Sequence, residues 1–276
     1  MDHRLIVKRT IAAVSAILIC AGTLPADGFI RRQTNNTAIT AYAAEYNFSD
    51  YATYKDEAGA VFLISSYNDL TAFANAVNGG NTFAGKNIKL ADNFDMGANA
   101  LTTSIGSSSH HFKGTFDGNG KTIKLNINMP INFYVGLFGY ADGATIRNVT
   151  VTGTVTGNTD VGGVTGGSIN TTIYNCVNKA DITTVSGCYG GGIIGYTKDS
   201  SIYNCYNTGA ISTNAEGAGG IVGGANTGNS YIYNCYNTGT AKTSSNNKGG
   251  MFGYTYNFGK IFLSSWYKDS CNRLQG

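Results

Sequence analysis

Proline occurs twice, tryptophan once and histidine three times in the 276 residues, and charged residues make up only 13% of them. A coiled coil or helical bundle draws heavily on Glu, Lys, Ala and Leu, so a chain this poor in charge is neither. A hydrophobic share of 42%, with 12% aromatics, excludes a disordered chain. What is abundant instead is Gly (38), Asn (30) and Tyr (18). Gly and Asn serve turns and Tyr fits a pleated surface, so the composition points to an all-β chain with many tight turns.

Charge of one sign is also missing from most of the chain. Five of the 19 basic and two of the 16 acidic residues precede residue 44, leaving 14 of each beyond it. A neutral chain with unclustered charge carries no footprint for nucleic acid or anionic lipid, and neither is expected as a partner.

Long apolar runs are absent except at the start. Met1 to Arg9 is basic and Thr10 to Leu24 is apolar, too short to span a bilayer comfortably. Residues 1–43 therefore read as a signal peptide, with Ala41-Tyr42-Ala43 as the best cleavage signal and an earlier cut between Ala21 and Ala26 as the alternative. The expected mature chain has no membrane span and lies outside the cell or on its surface.

The chain repeats itself. Gly136-Leu-Phe-Gly139, Gly162-Gly-Val-Thr-Gly166, Gly191-Gly-Ile-Ile-Gly195, Gly219-Gly-Ile-Val-Gly223 and Gly249-Gly-Met-Phe-Gly253 end 27, 29, 28 and 30 residues apart. A second block keeps step: Ile146-Arg-Asn148, Ile173-Tyr-Asn175-Cys176, Ile202-Tyr-Asn204-Cys205 and Ile232-Tyr-Asn234-Cys235, with Ile261-Phe262 as a degraded fifth. A unit of this size, without a helical stretch, cannot bury its own apolar face and must stack on copies of itself. The economical solution is a right-handed parallel β-helix with one repeat per coil and about 4.8 Å between coils. Ile146, Ile173, Ile202, Ile232 and Ile261 are expected to form one core column, and Val155, Ile182, Ile211 and Ala241 another. The recurring Asn tolerates left-handed backbone and should turn the corner between two faces while bonding its counterparts.

Ser66-Tyr-Asn-Asp69 has the form of a capping box, and Leu70, Phe73, Ala74 and Val77 follow at helical spacing. The pattern predicts an amphipathic helix over 67–77 that caps the open first coil. The expected organisation is a linker over 44–62, the capping helix and irregular first coils over 63–134, five repeat coils over 135–265, and a truncated tail over 266–276.

Several of these segments together resemble the GLUG-motif proteins, secreted and surface-associated bacterial repeat proteins. They are Asn68-Asp-Leu-Thr-Ala-Phe-Ala74, Val77-Asn-Gly-Gly-Asn-Thr-Phe-Ala-Gly-Lys86, Phe116-Asp-Gly-Asn-Gly-Lys-Thr-Ile123, Val135-Gly-Leu-Phe-Gly-Tyr140, and Ile-Tyr-Asn-Cys-Tyr-Asn-Thr-Gly at 202–209 and 232–239. The resemblance covers about residues 60–265. It implies an extracellular parallel β-helix, often a module of a larger surface protein or found beside the protease domain of immunoglobulin A proteases. It transfers no catalytic residues, because its motif is architectural; the sequence lacks the Trp often seen before the Ile105-Gly106 pair.

Motifs that imitate other chemistry fail on context. Gly190-Gly-Gly-Ile-Ile-Gly195 fits a dinucleotide pattern but opens no helix. Gly114 to Thr122 has one residue too many for a phosphate loop. His110-His111 has only His3 for company and reads as an exposed loop pair rather than a metal site. No cofactor or metal is expected. The aspartates and Glu216 fall at scattered offsets within their coils, which does not favour the paired carboxylates of a polysaccharide-degrading enzyme, the weakest of three readings.

The leading reading is a non-enzymatic, monomeric adhesion or binding module for an extracellular glycan or protein; a purely structural stalk is the alternative. Tyr174, Tyr203 and Tyr233 follow the core Ile by one residue and so point outward, with Phe262 continuing the row. Tyr206 and Tyr236 do the same past the Asn corner. These five tyrosines are the candidate ligand face, because an aromatic strip suits sugar rings or a protein partner. Cys176, Cys205 and Cys235 occupy one repeat position, where free thiols filling the core are favoured over a bridge between neighbouring rungs.

Overall fold

Among the described residues, the strands from Val61–Ile64 onward pair one coil at a time, in parallel. The structure, a computed structural model, describes residues 43–266 apart from 96–99, 215, 227, 256–259 and 263–264. The leader up to residue 42 and the tail from 267, with Cys20 and Cys271, lie outside the described residues.

The fold is all-β, a parallel β-solenoid of about seven turns with an N-terminal cap-like helix. Its first sheet stacks Glu45–Asn47, Val61–Ile64, Asn87–Leu90, Thr115–Asp117, Thr145–Arg147, Thr172–Tyr174, Ser201–Tyr203, Tyr231–Tyr233 and Lys260–Phe262. The second contains the long strands Thr122–Val135 and Thr150–Gly162 with the short strands of later coils. A third stacks Phe138–Asp142, Thr165–Ile169, Ile194–Lys198, Val222–Ala225 and Phe252–Thr255.

The predicted core column is present. Ile146, Ile173, Ile202 and Ile232 are level with one another and fully buried, and the backbone of Ile261 continues the register. The column starts three coils earlier than the repeat, with Phe62, Ile88 and Phe116 at the same position. Aromatic and aliphatic side chains fill one column equally well, so the core persists where the surrounding motif does not. The second column runs Ile127, Val155, Ile182, Ile211 and Ala241, all buried.

The corner asparagines Asn148, Asn175, Asn204 and Asn234 all sit in the left-handed region, with φ between 49° and 55°. Asn175 Nδ2 donates to Asn148 Oδ1 at 3.1 Å, and Asn234 Nδ2 to Asn204 Oδ1 at 2.7 Å. A second asparagine series, not recognised in the repeat, lies in the core: Asn178, Asn207 and Asn237 are each fully buried. Their amides bond one another and the backbone two residues on. The paired glycines explain how it fits. A Cβ on Gly163, Gly192 or Gly220 would fall 2.2–2.5 Å from the amide atoms of Asn178, Asn207 or Asn237 respectively. The second glycine of each pair is bare because an asparagine side chain and the carbonyl of the matching glycine one coil on occupy the space.

The capping helix spans Tyr67–Asn78, one residue longer than predicted. Ser66 accepts from the Asp69 N–H at 3.1 Å and its hydroxyl donates to the Asp69 carboxylate at 2.8 Å. Leu70, Phe73, Ala74 and Val77 are fully buried, and Phe73 meets Phe83, Phe112, Phe116 and Phe138. One expectation is corrected. Residues 44–62 are no linker: they contain the strand Glu45–Asn47, a 3-10 turn at Phe48–Asp50, a helix at Tyr51–Tyr54 and the start of the strand Val61–Ile64. Phe48 and Phe62 are buried in the aromatic end of the core, so this stretch belongs to the folded body.

Cys176, Cys205 and Cys235 are buried thiols on neighbouring rungs. Each lies within weak hydrogen-bonding reach of two carbonyls, that of the Tyr two residues back at 3.3–3.5 Å and that of the Ile in the coil before at 3.8 Å. Burial raises the Cys205 thiol pKa, as do hydrogen bonds with Cys176 and Cys235.

Candidate functional site

Strand alternation buries the Ile of each second-block motif and sets the next residue outward, so register alone builds the first tyrosine column. It runs Asp117, Arg147, Tyr174, Tyr203, Tyr233 and Phe262 at one strand position. The Tyr174 and Tyr203 rings are stacked, 4.8 Å apart and 4° from parallel. Arg147 closes the upper end: Nη1 donates to the Tyr174 hydroxyl at 2.8 Å, and Nη2 lies 3.0 Å from Asp117 Oδ2. The Tyr174 hydroxyl and Asp117 both hold the guanidinium in its charged form, against partial burial.

The second column falls on the next sheet, past the asparagine corner, where Val177, Tyr206 and Tyr236 share a register. Tyr206 and Tyr236 stack at 5.4 Å and 9°, and the Tyr206 hydroxyl lies 3.2 Å from Thr238 Oγ1. The five predicted residues are therefore brought together as two stacked pairs plus Tyr233, on two sheets that meet at the corner. Tyr174, Tyr203 and Tyr206 are half-buried, whereas Tyr233 is 46% and Tyr236 40% exposed. Tyr231, equally exposed, joins them at the position of Ser201 and Thr172. Its place two residues before Tyr233 on an alternating strand is the sequence signal that identifies it.

A second aromatic cluster was not anticipated. In the third sheet Tyr140, Gly167, Tyr196, Gly224 and Tyr254 share one position, so tyrosine and glycine alternate coil by coil. The neighbouring sheet supplies Tyr134, Asp160 and Tyr189 in successive coils. The rings lie on the glycines: a Cβ on Gly167 would be 2.7 Å from both Tyr134 and Tyr140, and one on Gly224 would be 2.3 Å from Tyr189. Tyr134 meets Tyr140 edge to face at 4.8 Å, while Tyr189 stacks on Tyr254 at 5.8 Å and on Tyr196 at 6.3 Å. The signal was in the sequence: the residue after each glycine block reads Tyr, Gly, Tyr, Gly, Tyr.

Burial raises the phenol pKa of Tyr134, Tyr140, Tyr189 and Tyr196, that of Tyr140 to about 12. Burial also lifts Asp160, whose pKa is raised to about 7. At the upper rim His111 stacks on Tyr140 at 4.7 Å, and Lys113 donates to Asp142 at 2.7 Å, a contact that holds Asp142 below the usual carboxylate range. His110 is exposed and His111 partly so. Among the described residues no group of three or more His, Cys, Asp or Glu side chains is placed to hold a metal.

The sequence matches no family profile and no curated protein. The fold is similar to that of a crystal structure from Bacteroides ovatus described as a putative immunoglobulin A1 protease, with a TM-score of 0.57 and 22% identity. The match covers 74% of this chain and 66% of that one. At this identity the likeness shows the shared fold. Among the described residues no helix is long and apolar enough to cross a membrane.

Proposed function

We propose that this protein is an exported, cell-surface or secreted binding module whose outward tyrosine columns engage an extracellular glycan or protein. The observation that carries the reading is the exposure of Tyr231, Tyr233 and Tyr236, three of the five large apolar side chains left exposed among the described residues. A partly exposed tyrosine on a sheet offers an aromatic surface and a hydroxyl together, the combination that stacks on sugar rings or buries cheaply in a partner. The basic and apolar leader supports export, and the resemblance to GLUG-motif proteins supports a surface setting. The same reading makes the module a monomer without catalytic chemistry of its own; Asp117, the acidic residue at the head of the first column, is occupied by Arg147 and Asn148.

A stalk is the second reading, and one observation favours it: Tyr174 with Tyr203, and Tyr206 with Tyr236, stack on each other as scaffold pairs do. The discriminating experiment replaces Tyr203, Tyr206, Tyr233 and Tyr236 with Ser together. Unfolding and binding to glycan and host-protein arrays are then measured separately. A binding module keeps its fold and loses its array signal. A parent protein silent on both arrays, or a folded variant that binds undiminished, rejects the columns as the ligand face.

A further inference from the structure

Asp160 is 8% exposed, and its Oδ1 has no hydrogen-bond partner. Its Oδ2 has only the Thr159 hydroxyl, at 3.4 Å. Buried carboxylates are normally paired or fully hydrogen-bonded, because an uncompensated one costs several kcal/mol. The groups that face it supply no positive charge. Tyr134 and Tyr140 come from the coil before, Cys188, Tyr189 and Tyr196 from the coil after, and Glu216 from one coil further. The phenols and the thiol all hold their protons more tightly than usual, so around neutral pH they are uncharged. Lys113, at the rim, is committed to Asp142.

An unsatisfied carboxylate oxygen among aromatic faces, with a second carboxylate nearby, has a definite chemical complement. An anion is repelled. A metal ion needs several hard ligands, and among the described residues the donors do not group in threes. An organic ammonium satisfies both features at once: its N–H groups fill the empty acceptor and its charge is attracted to the ring faces. Tyr134, Tyr189 and Tyr196 are each partly exposed, and Asp160 keeps 8% of its own surface open to solvent. We propose that Asp160, walled by Tyr134, Tyr189 and Tyr196, is a binding site for an organic ammonium group. This site is separate from the outward columns and does not depend on their role. A lysine side chain of a partner protein and a free alkylamine carry the same chemistry.

The test titrates the whole protein with n-butylammonium chloride and with a short lysine-containing peptide, following tyrosine fluorescence. Sodium chloride at equal ionic strength and neutral n-butanol are the controls. The site predicts saturable binding of the ammonium at pH 8, at least tenfold weaker binding at pH 5.5, where Asp160 keeps its proton, and no saturable response to butanol. Asp160→Asn should abolish the response while the protein remains folded by circular dichroism. A peptide binding more than tenfold tighter than butylammonium would assign the ligand to a partner protein, and equal affinities would assign it to a free amine. No saturable ammonium binding, equal binding of butanol, or binding independent of pH between 5.5 and 8 would overturn the proposal. The pH and butanol arms use the unaltered protein and stand whether or not the variant folds.

Discussion

Asn178 donates through Nδ2 to Asn207 Oδ1 at 2.7 Å, although both side chains are completely shielded from solvent. Asn207 repeats the contact to Asn237 at 2.8 Å. Each amide also closes a local turn: Asn207 Nδ2 donates to the Gly209 carbonyl at 3.1 Å, and its Oδ1 accepts from the Gly209 N–H at 3.2 Å. The same side chain therefore makes the turn and joins successive coils, and a polar column runs through the core without an orphaned amide.

Asn207→Asp should break this column at its centre. The carboxylate loses both donors, faces the Asn237 oxygen and carries a buried charge. Removing one partner from a buried polar network costs about 1–3 kcal/mol per group left unsatisfied, and a charge costs more. Urea denaturation should show a loss of at least about 3 kcal/mol at pH 8. A loss under about 1 kcal/mol would show that the column is dispensable.

Gly192→Ala tests the fit between the glycine pair and that column. The added Cβ falls 2.2 Å from the Gly220 carbonyl oxygen and 2.5 Å from Asn207 Cγ, the first a backbone atom and the second part of a buried hydrogen-bonded amide. Overpacking of this kind costs about 1–3 kcal/mol or more. Gly120→Ala is the matched control: its Cβ meets nothing within 4 Å, so only the strain of φ +72° remains, about 1–2 kcal/mol. Thermal unfolding should rank Gly192→Ala as the more damaging of the two.

Ile202→Ala removes the side chain between Ile173 and Ile232, which are held in register above and below it. A cavity in a fully buried column should cost about 2–5 kcal/mol by denaturant unfolding. A variant as stable as the parent would show that the core column is not close-packed.

Asp160 makes stability fall as pH rises. Its pKa is about 7 in the fold against 3.8 for an ordinary aspartate, so between about pH 4 and pH 7 the unfolded chain releases a proton that the fold retains. The penalty is absent below about pH 4 and complete above about pH 7. Asp160→Asn removes it, and Asn tolerates the left-handed backbone at this position, where φ is 53°. The variant should match the parent at pH 4 and exceed it at pH 8 by up to about 4 kcal/mol. Parallel stability curves from pH 4 to pH 8 would contradict the assignment.

The repeat spacing by itself determined the solenoid, the phase of the Ile column, the outward tyrosines and the left-handed asparagines. A period of about 29 residues with alternating burial has one economical way to hide its apolar side. The capping helix was equally legible, because Ser66 and Asp69 act within one turn of chain. Tertiary structure decided what depends on residues far apart in sequence. Phe62, Ile88 and Phe116 join the Ile column without sharing its motif, so only register reveals them and brings residues 44–62 into the body of the fold. The pairing of Gly163, Gly192 and Gly220 with Asn178, Asn207 and Asn237 depends on two points of the chain meeting across the core. Asp160 shows the division most clearly. In the sequence it is one more aspartate at a scattered offset within its coil, and its burial among Tyr134, Tyr140, Tyr189 and Tyr196 comes from coils that lie nearly thirty residues apart and stack a few ångströms from one another.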